Sequence, residues 1–207
     1  MANLKVTGQE VRDFWKYMEK KYDFKVVQKK DAEEMQLIGW ALETMGIRDK
    51  KGFLNSCATT ICLGDVRRVY MPYEIGVGRH SHLLHQIELC AHEAQHVVQA
   101  DRERGQPMKY LLSDANRAFY EADAYRATME MEYFMTGKMT SPRDLANILR
   151  GYSIGKADRR IAEKHLRIAA EVVKRGGVIT GTSKTAIRWW KNKKKRVPLR
   201  KVSYFRV

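Results

Sequence analysis

The chain has 207 residues, with 39 lysines and arginines against 24 acidic residues and a formal net charge of +15 at pH 7. That length suggests one domain, with room for an appendage, and is ample for a hydrophobic core. No uninterrupted apolar run approaches the ~20 residues of a bilayer-spanning helix, and residues 1–5 lack the apolar core of a signal peptide, so a transmembrane segment is excluded and a cytoplasmic protein expected. Cys57, Cys62 and Cys90 are odd in number and not clustered with histidines, which argues against a disulfide framework or a zinc ribbon.

Thr7-Gly8-Gln9-Glu10 is a capping box and predicts a first helix with Val11, Phe14, Trp15, Met18 and Tyr22 along one face. A short strand is expected at 24–27. Asp31-Ala32-Glu33-Glu34 repeats the capping signal for a second helix, with Met35, Ile38, Leu42 and Met45 inward and Gly46 at its end. Residues 57–63, rich in Thr and Ile, and 66–71, alternating apolar and basic, suit two strands of an antiparallel hairpin turned at Gly64-Asp65. A loop with Gly76 and Gly78 then leads to His80, His82 and His85, which read as surface or cap histidines.

The most informative stretch is 87–99, with His92-Glu93-Ala94-Gln95-His96 at its centre. Leu84, Ile87, Ala91, Ala94 and Val98 recur at spacings of three and four, the buried stripe of a helix. Histidines four apart lie one turn along the same helical face, so both imidazoles can reach one metal ion. Glu93, next to the first histidine, is placed to hold and deprotonate a metal-bound water. Imidazole and carboxylate ligands suit Zn²⁺, although nickel, iron or manganese bind such sets too.

A catalytic zinc takes three protein ligands and a water, so a third ligand is expected from a later helix. Ser113 is the cap of a helix from about Asp114 that ends before Gly137 and carries Tyr120-Glu121-Ala122-Asp123-Ala124-Tyr125. At these two tracts the sequence resembles the gluzincin metallopeptidases, in which H-E-x-x-H on one helix is completed by a glutamate from a downstream helix. The resemblance spans residues 66–135 and includes His96-Val97-Val98-Gln99, similar to the H-V-x-Q continuation of small phage and bacterial members. It implies His92 and His96 as zinc ligands, Glu93 as general base and Glu121 as third ligand, with Asp123 a rival for that place. It also implies a strand beside the metal helix that pairs with an extended peptide substrate, for which 66–71 is the candidate.

Ser141-Pro142 signals another helix, and 156–175 a further one that ends at Gly176-Gly177. His165, Tyr120 and Tyr125 are candidates to stabilise a developing oxyanion. From Lys184 onward there are ten basic residues and no acidic one. Lys184, Arg188, Trp189, Trp190, Lys191, Lys193, Lys194, Lys195 and Arg196 combine charge with stacking surface, as an anion- or nucleic-acid-binding arm would.

The expected architecture is α+β, a mainly helical zincin-like domain (1–179) with a small antiparallel hairpin or sheet, followed by a basic C-terminal arm (180–207). The expected activity is zinc-dependent peptide or amide hydrolysis, with a peptide or protein substrate and with nucleic acid or assembly subunits met by the arm. Two alternatives share these residues: a cell-wall-degrading zinc amidase or peptidase, and a phage virion structural or assembly protein with a peptidase-like fold and a docked basic arm.

Overall fold

The first helix starts where the capping box predicts. In the computed structural model, which describes residues 4–44, 50–55 and 58–194, the Thr7 hydroxyl accepts from the Glu10 amide and the Glu10 carboxylate accepts from the Thr7 amide. Helix α1 (Gly8–Tyr22) then buries Val11, Phe14, Trp15 and Met18 and ends at Asp23 in the left-handed region. Strand β1 (Lys25–Gln28), a 3-10 turn, α2 (Glu33–Thr44) and α3 (Lys50–Asn55) follow. Met45, Gly46, Cys57 and the Leu42 side chain lie outside the described residues.

Strands β2 (Thr59–Leu63) and β3 (Val66–Met71) form the expected hairpin, with Leu63 opposite Val66 and Gly64 at φ +57 in the turn. The sheet is nevertheless mixed and not antiparallel. β1 pairs parallel to β3 on its other side, Lys25 opposite Arg68, giving the order β1-β3-β2. Parallel neighbours need a crossover of a dozen residues or more, here made by α2, α3 and β2; turn signals between adjacent runs cannot reveal such a pairing. One consequence corrects the sequence reading: β3 is the central strand, both its edges are occupied, and the strands with an edge free of strand partners among the described residues are β1 and β2.

The rest is helical: α4 (His80–Arg102), α5 (Gln106–Leu112), α6 (Asp114–Thr136), α7 (Pro142–Ile148), α8 (Lys156–Lys174) and α9 (Gly181–Lys193). The fold is thus mainly helical α+β. Helices α4 and α6, each about 34 Å long at 1.5 Å per residue, pack side by side with the buried small residues Ala91, Ala94, Ala124 and Ala127. One core joins α1, the sheet, α4 and α9, and a second lies between α6, α7 and α8. No helix among the described residues is long and apolar enough to cross a membrane.

Helix α9 overturns the division at residue 180. Ala186, Ile187 and Trp190 are fully buried in the main core, and the Trp189 and Trp190 rings lie 5.3 and 5.5 Å from that of Phe14. Residues 181–193 are therefore a structural helix of the domain, not an arm.

Candidate metal centre

Three helices build one buried cluster. Helix α4 supplies His92 and His96 one turn apart, α6 supplies Glu121, and α5 lays Tyr110 against them. His92 Nε2 and His96 Nε2 are 3.2 Å apart, Glu121 Oε2 is 3.6 Å from His92 Nε2, and Glu121 Oε1 is 3.7 Å from His96 Nε2. Donor atoms about 2.0–2.2 Å from a tetrahedral zinc lie about 3.3–3.6 Å from one another. The observed spacings match that shell, and these three residues offer ligand atoms all within 4.8 Å of one another.

Protonation supports the same conclusion. The Gln99 amide nitrogen donates to Tyr120 O at 2.9 Å and to Asp123 Oδ2 at 3.0 Å, so its oxygen faces His96 Nδ1 at 2.9 Å. An amide oxygen only accepts, which assigns the proton to Nδ1 and leaves a lone pair on Nε2. His92 Nδ1 is 3.2 Å from Thr128 Oγ1, a hydroxyl that anchors the second ring and can either donate or accept. Glu121 is 2 % exposed, and its Oε2 is buried with no hydrogen-bond partner among the described residues, while Tyr110 donates to Oε1 at 2.5 Å. The His96 Nε2 lone pair, the His92 imidazole and a Glu121 oxygen without a partner among the described residues converge as a donor set that could hold a cation.

The charged groups of the cluster shift one another. Burial works to raise the Glu121 pKa, but His96, His92 and the Tyr110 hydroxyl outweigh it and hold the carboxyl below its ordinary value. Burial works to lower that of His92, and the Glu121 and Glu93 carboxylates outweigh it in turn, so the imidazole titrates above its usual range. Burial and the negative charge of Glu121 push Tyr110 far up, keeping it a hydrogen-bond donor.

Glu93 sits beside this cluster, held from the sheet: Thr60 on β2 donates to Glu93 Oε2 at 2.5 Å, and no described residue donates to Oε1. Tyr73, in the loop after β3, has a buried hydroxyl without a hydrogen-bond partner among the described residues, and burial together with the Glu93 charge raises its pKa.

The other sequence candidates separate cleanly. Asp123 takes Gln95, Gln99 and Arg126 and stays out of the cluster, so it is not a ligand. The Tyr120 hydroxyl is committed to Glu103 at 2.6 Å, and His165 is exposed on α8 against Phe119. Of the three oxyanion candidates only Tyr125 packs against the cluster, its ring 4.8 Å from that of His92. Sequence reasoning missed Thr60, Tyr73, Thr128 and Tyr110, and gave Gln99 no role beyond its place in the H-V-x-Q tract. For Tyr110 a signal existed, since Gly105-Gln106-Pro107 is a helix start with proline in the first turn.

The expected nucleic-acid surface does not form as read. Trp190 is fully buried and cannot stack on a base; Trp189 is half-buried against Phe14 and Tyr17. Lys193 pairs with Asp13 at 3.2 Å, and Lys194 pairs with Glu10, so both serve to hold α9 on α1. Lys184 and Lys191 are half-buried, and Arg188 is exposed. Lys195 and Arg196 lie outside the described residues.

Compared with protein-family models, curated proteins and solved structures, the chain matches none.

Proposed function

We propose that the protein is a zinc-dependent metallopeptidase of gluzincin type. The observation that carries this reading is the convergence of His92 Nε2, His96 Nε2 and the unpartnered Glu121 Oε2 beside Glu93. A zinc ion bound there supplies a Lewis acid and an ionisable water at neutral pH. Glu93 is the proton carrier: Thr60 fixes one carboxylate oxygen and leaves Oε1 to take a proton from water and return it to the leaving amine. The Tyr73 hydroxyl, buried, protonated and without a partner, is a donor for negative charge developing on the substrate. The open edge of β2 carries Thr60, and an extended substrate backbone adding to that edge reaches the site. This role replaces the one expected of β3.

The test is Glu93→Gln. Zinc content should stay at one per chain, while hydrolysis of a denatured protein substrate falls by about 10²–10⁴-fold, the usual contribution of a general base. Unchanged hydrolysis in a zinc-loaded variant would overturn the assignment.

A further inference from the structure

We propose that Asp123, acting through Gln95, Gln99 and Thr182, forms a buried relay that positions His96 and makes α9 part of the metal centre. The inference rests on the metal-centre reading above and extends it to residues that touch no metal. Asp123 Oδ2 accepts two amide hydrogen bonds from successive turns of α4, from Gln95 Nε2 at 2.6 Å and from Gln99 Nε2 at 3.0 Å. This anionic oxygen, joined at Gln99 by the Tyr120 carbonyl at 2.9 Å, fixes which way the amides face. Gln99 turns its oxygen to His96 Nδ1 at 2.9 Å, and Gln95 turns its oxygen to receive the Thr182 hydroxyl at 3.1 Å. The chain of contacts runs unbroken from the first turn of α9 to a metal ligand, across Gln95, Gln99 and Thr182, all of them buried.

Attaching α9 does not require this relay. Ala186, Ile187 and Trp190 fill the core, Ser183 donates to Ala127 O at 3.3 Å, and Glu130 accepts from the backbone amides of Ile179 and Thr180. Buried amides are costly unless fully partnered, so apolar side chains would join these helices at less risk. What the amides provide is orientation. If Gln99 flipped by 180°, its NH₂ would face His96 Nδ1, the imidazole proton would move to Nε2, and the lone pair offered to the metal would be lost. Asp123 opposes that flip together with the Tyr120 carbonyl, and Thr182 holds the second amide bound to Asp123. Because the coupling is reciprocal, metal binding and docking of the first turn of α9 reinforce each other.

The experiment compares zinc affinity, by competition with a chromophoric chelator, in the full chain and in Asp123→Ala, Thr182→Val and Ser183→Ala. Long-range ¹⁵N–¹H NMR of the metal-free proteins reads the His96 tautomer independently. Outer partners of metal ligands typically contribute about 10–100-fold in affinity. Asp123→Ala should weaken zinc binding by about that factor and convert His96 from the Nδ1–H tautomer to a mixture. The nearly isosteric Thr182→Val should weaken it by about threefold or more, in keeping with its greater distance from the ring. Ser183→Ala, on the same buried turn but outside the relay, should stay within about twofold of wild type. Wild-type affinity and tautomer in folded Asp123→Ala and Thr182→Val would overturn the relay. So would an equal loss in Ser183→Ala, which would show that any loosening of α9 suffices. Absence of zinc binding by the wild type would instead overturn the metal centre itself.

Discussion

Glu121→Gln separates a metal ligand from a structural carboxylate. The side chain is 2 % exposed, keeps its shape on substitution, and can still accept from Tyr110 through the amide oxygen. Without metal the change weakens that bond from charge-assisted to neutral, about 1 kcal/mol. For a chain of this length that lowers Tm by about 2–4 °C. With zinc the comparison changes. Zinc at a thousand times its Kd stabilises a protein that binds it only when folded by about 4 kcal/mol, or about 8–16 °C here. The wild type should show that rise between chelator-stripped and zinc-supplemented scans. The variant should show almost none, because a neutral amide replaces the anionic donor that lies 3.6 Å from His92 Nε2 and 3.7 Å from His96 Nε2. Differential scanning calorimetry in matched buffers measures both shifts. A variant that keeps the full zinc-dependent rise would refute Glu121 as a ligand; a wild type with no rise would refute the site.

Thr60→Val removes the hydroxyl that donates to Glu93 Oε2 while preserving shape; it should lower kcat for peptide hydrolysis about tenfold with KM and zinc content little changed, and steady-state kinetics with metal analysis checks both. Trp190→Ala should destabilise by about 3–5 kcal/mol because the indole is fully buried, whereas Arg188→Ala on the exposed side of α9 should stay within about 0.5 kcal/mol; equal small effects in urea denaturation would contradict the packing of α9. Glu130 gives a pH test. Burial raises its pKa against the pull of the Ile179 and Thr180 backbone amides. Its contribution to stability is therefore full below the ordinary 4.5 and lost as pH rises through the folded value. Glu130→Gln cannot ionise, so its stability relative to wild type should increase between about pH 4 and pH 7; a difference independent of pH would show that Glu130 ionises in the folded protein as freely as in the unfolded chain.

The parts of this molecule written as local pattern could be read before the structure. The capping box at Thr7, the cap at Ser113, the proline at 142 and the glycine at 137 each act within one helical turn, and each marks an observed helix end. The spacing of His92 and His96 is local in the same sense. Glu121 was reachable only through resemblance, since nothing within α6 distinguishes it from Asp123 two residues on. What separates them is which face meets α4, a tertiary fact. Thr60 and Tyr73 were hidden for the same reason: their importance arises from a sheet edge and a loop brought against Glu93, with no periodicity to announce it. The parallel partner of β3 was likewise invisible, because the parallel register joins residues more than forty positions apart, Lys25 with Arg68.

Helix α9 is the instructive error. Its apolar residues do follow helical spacing, Ser183, Ala186, Ile187 and Trp190 lying on one face, all of them buried. That pattern was overshadowed by the basic residues on the other face, because a block of lysines and arginines is the usual mark of a solvated tail. Composition averages around a helix, whereas burial depends on one side of it. Here the two sides do different work. The apolar side closes the core against Phe14, and Lys193 and Lys194 at the end of the helix meet the acids of α1. The first turn reaches Gln95 through Thr182. The excess charge of the chain therefore does not by itself define an arm that could be removed without consequence. Cutting at 180 would open the core and take away the last link of the hydrogen-bond chain that ends at His96.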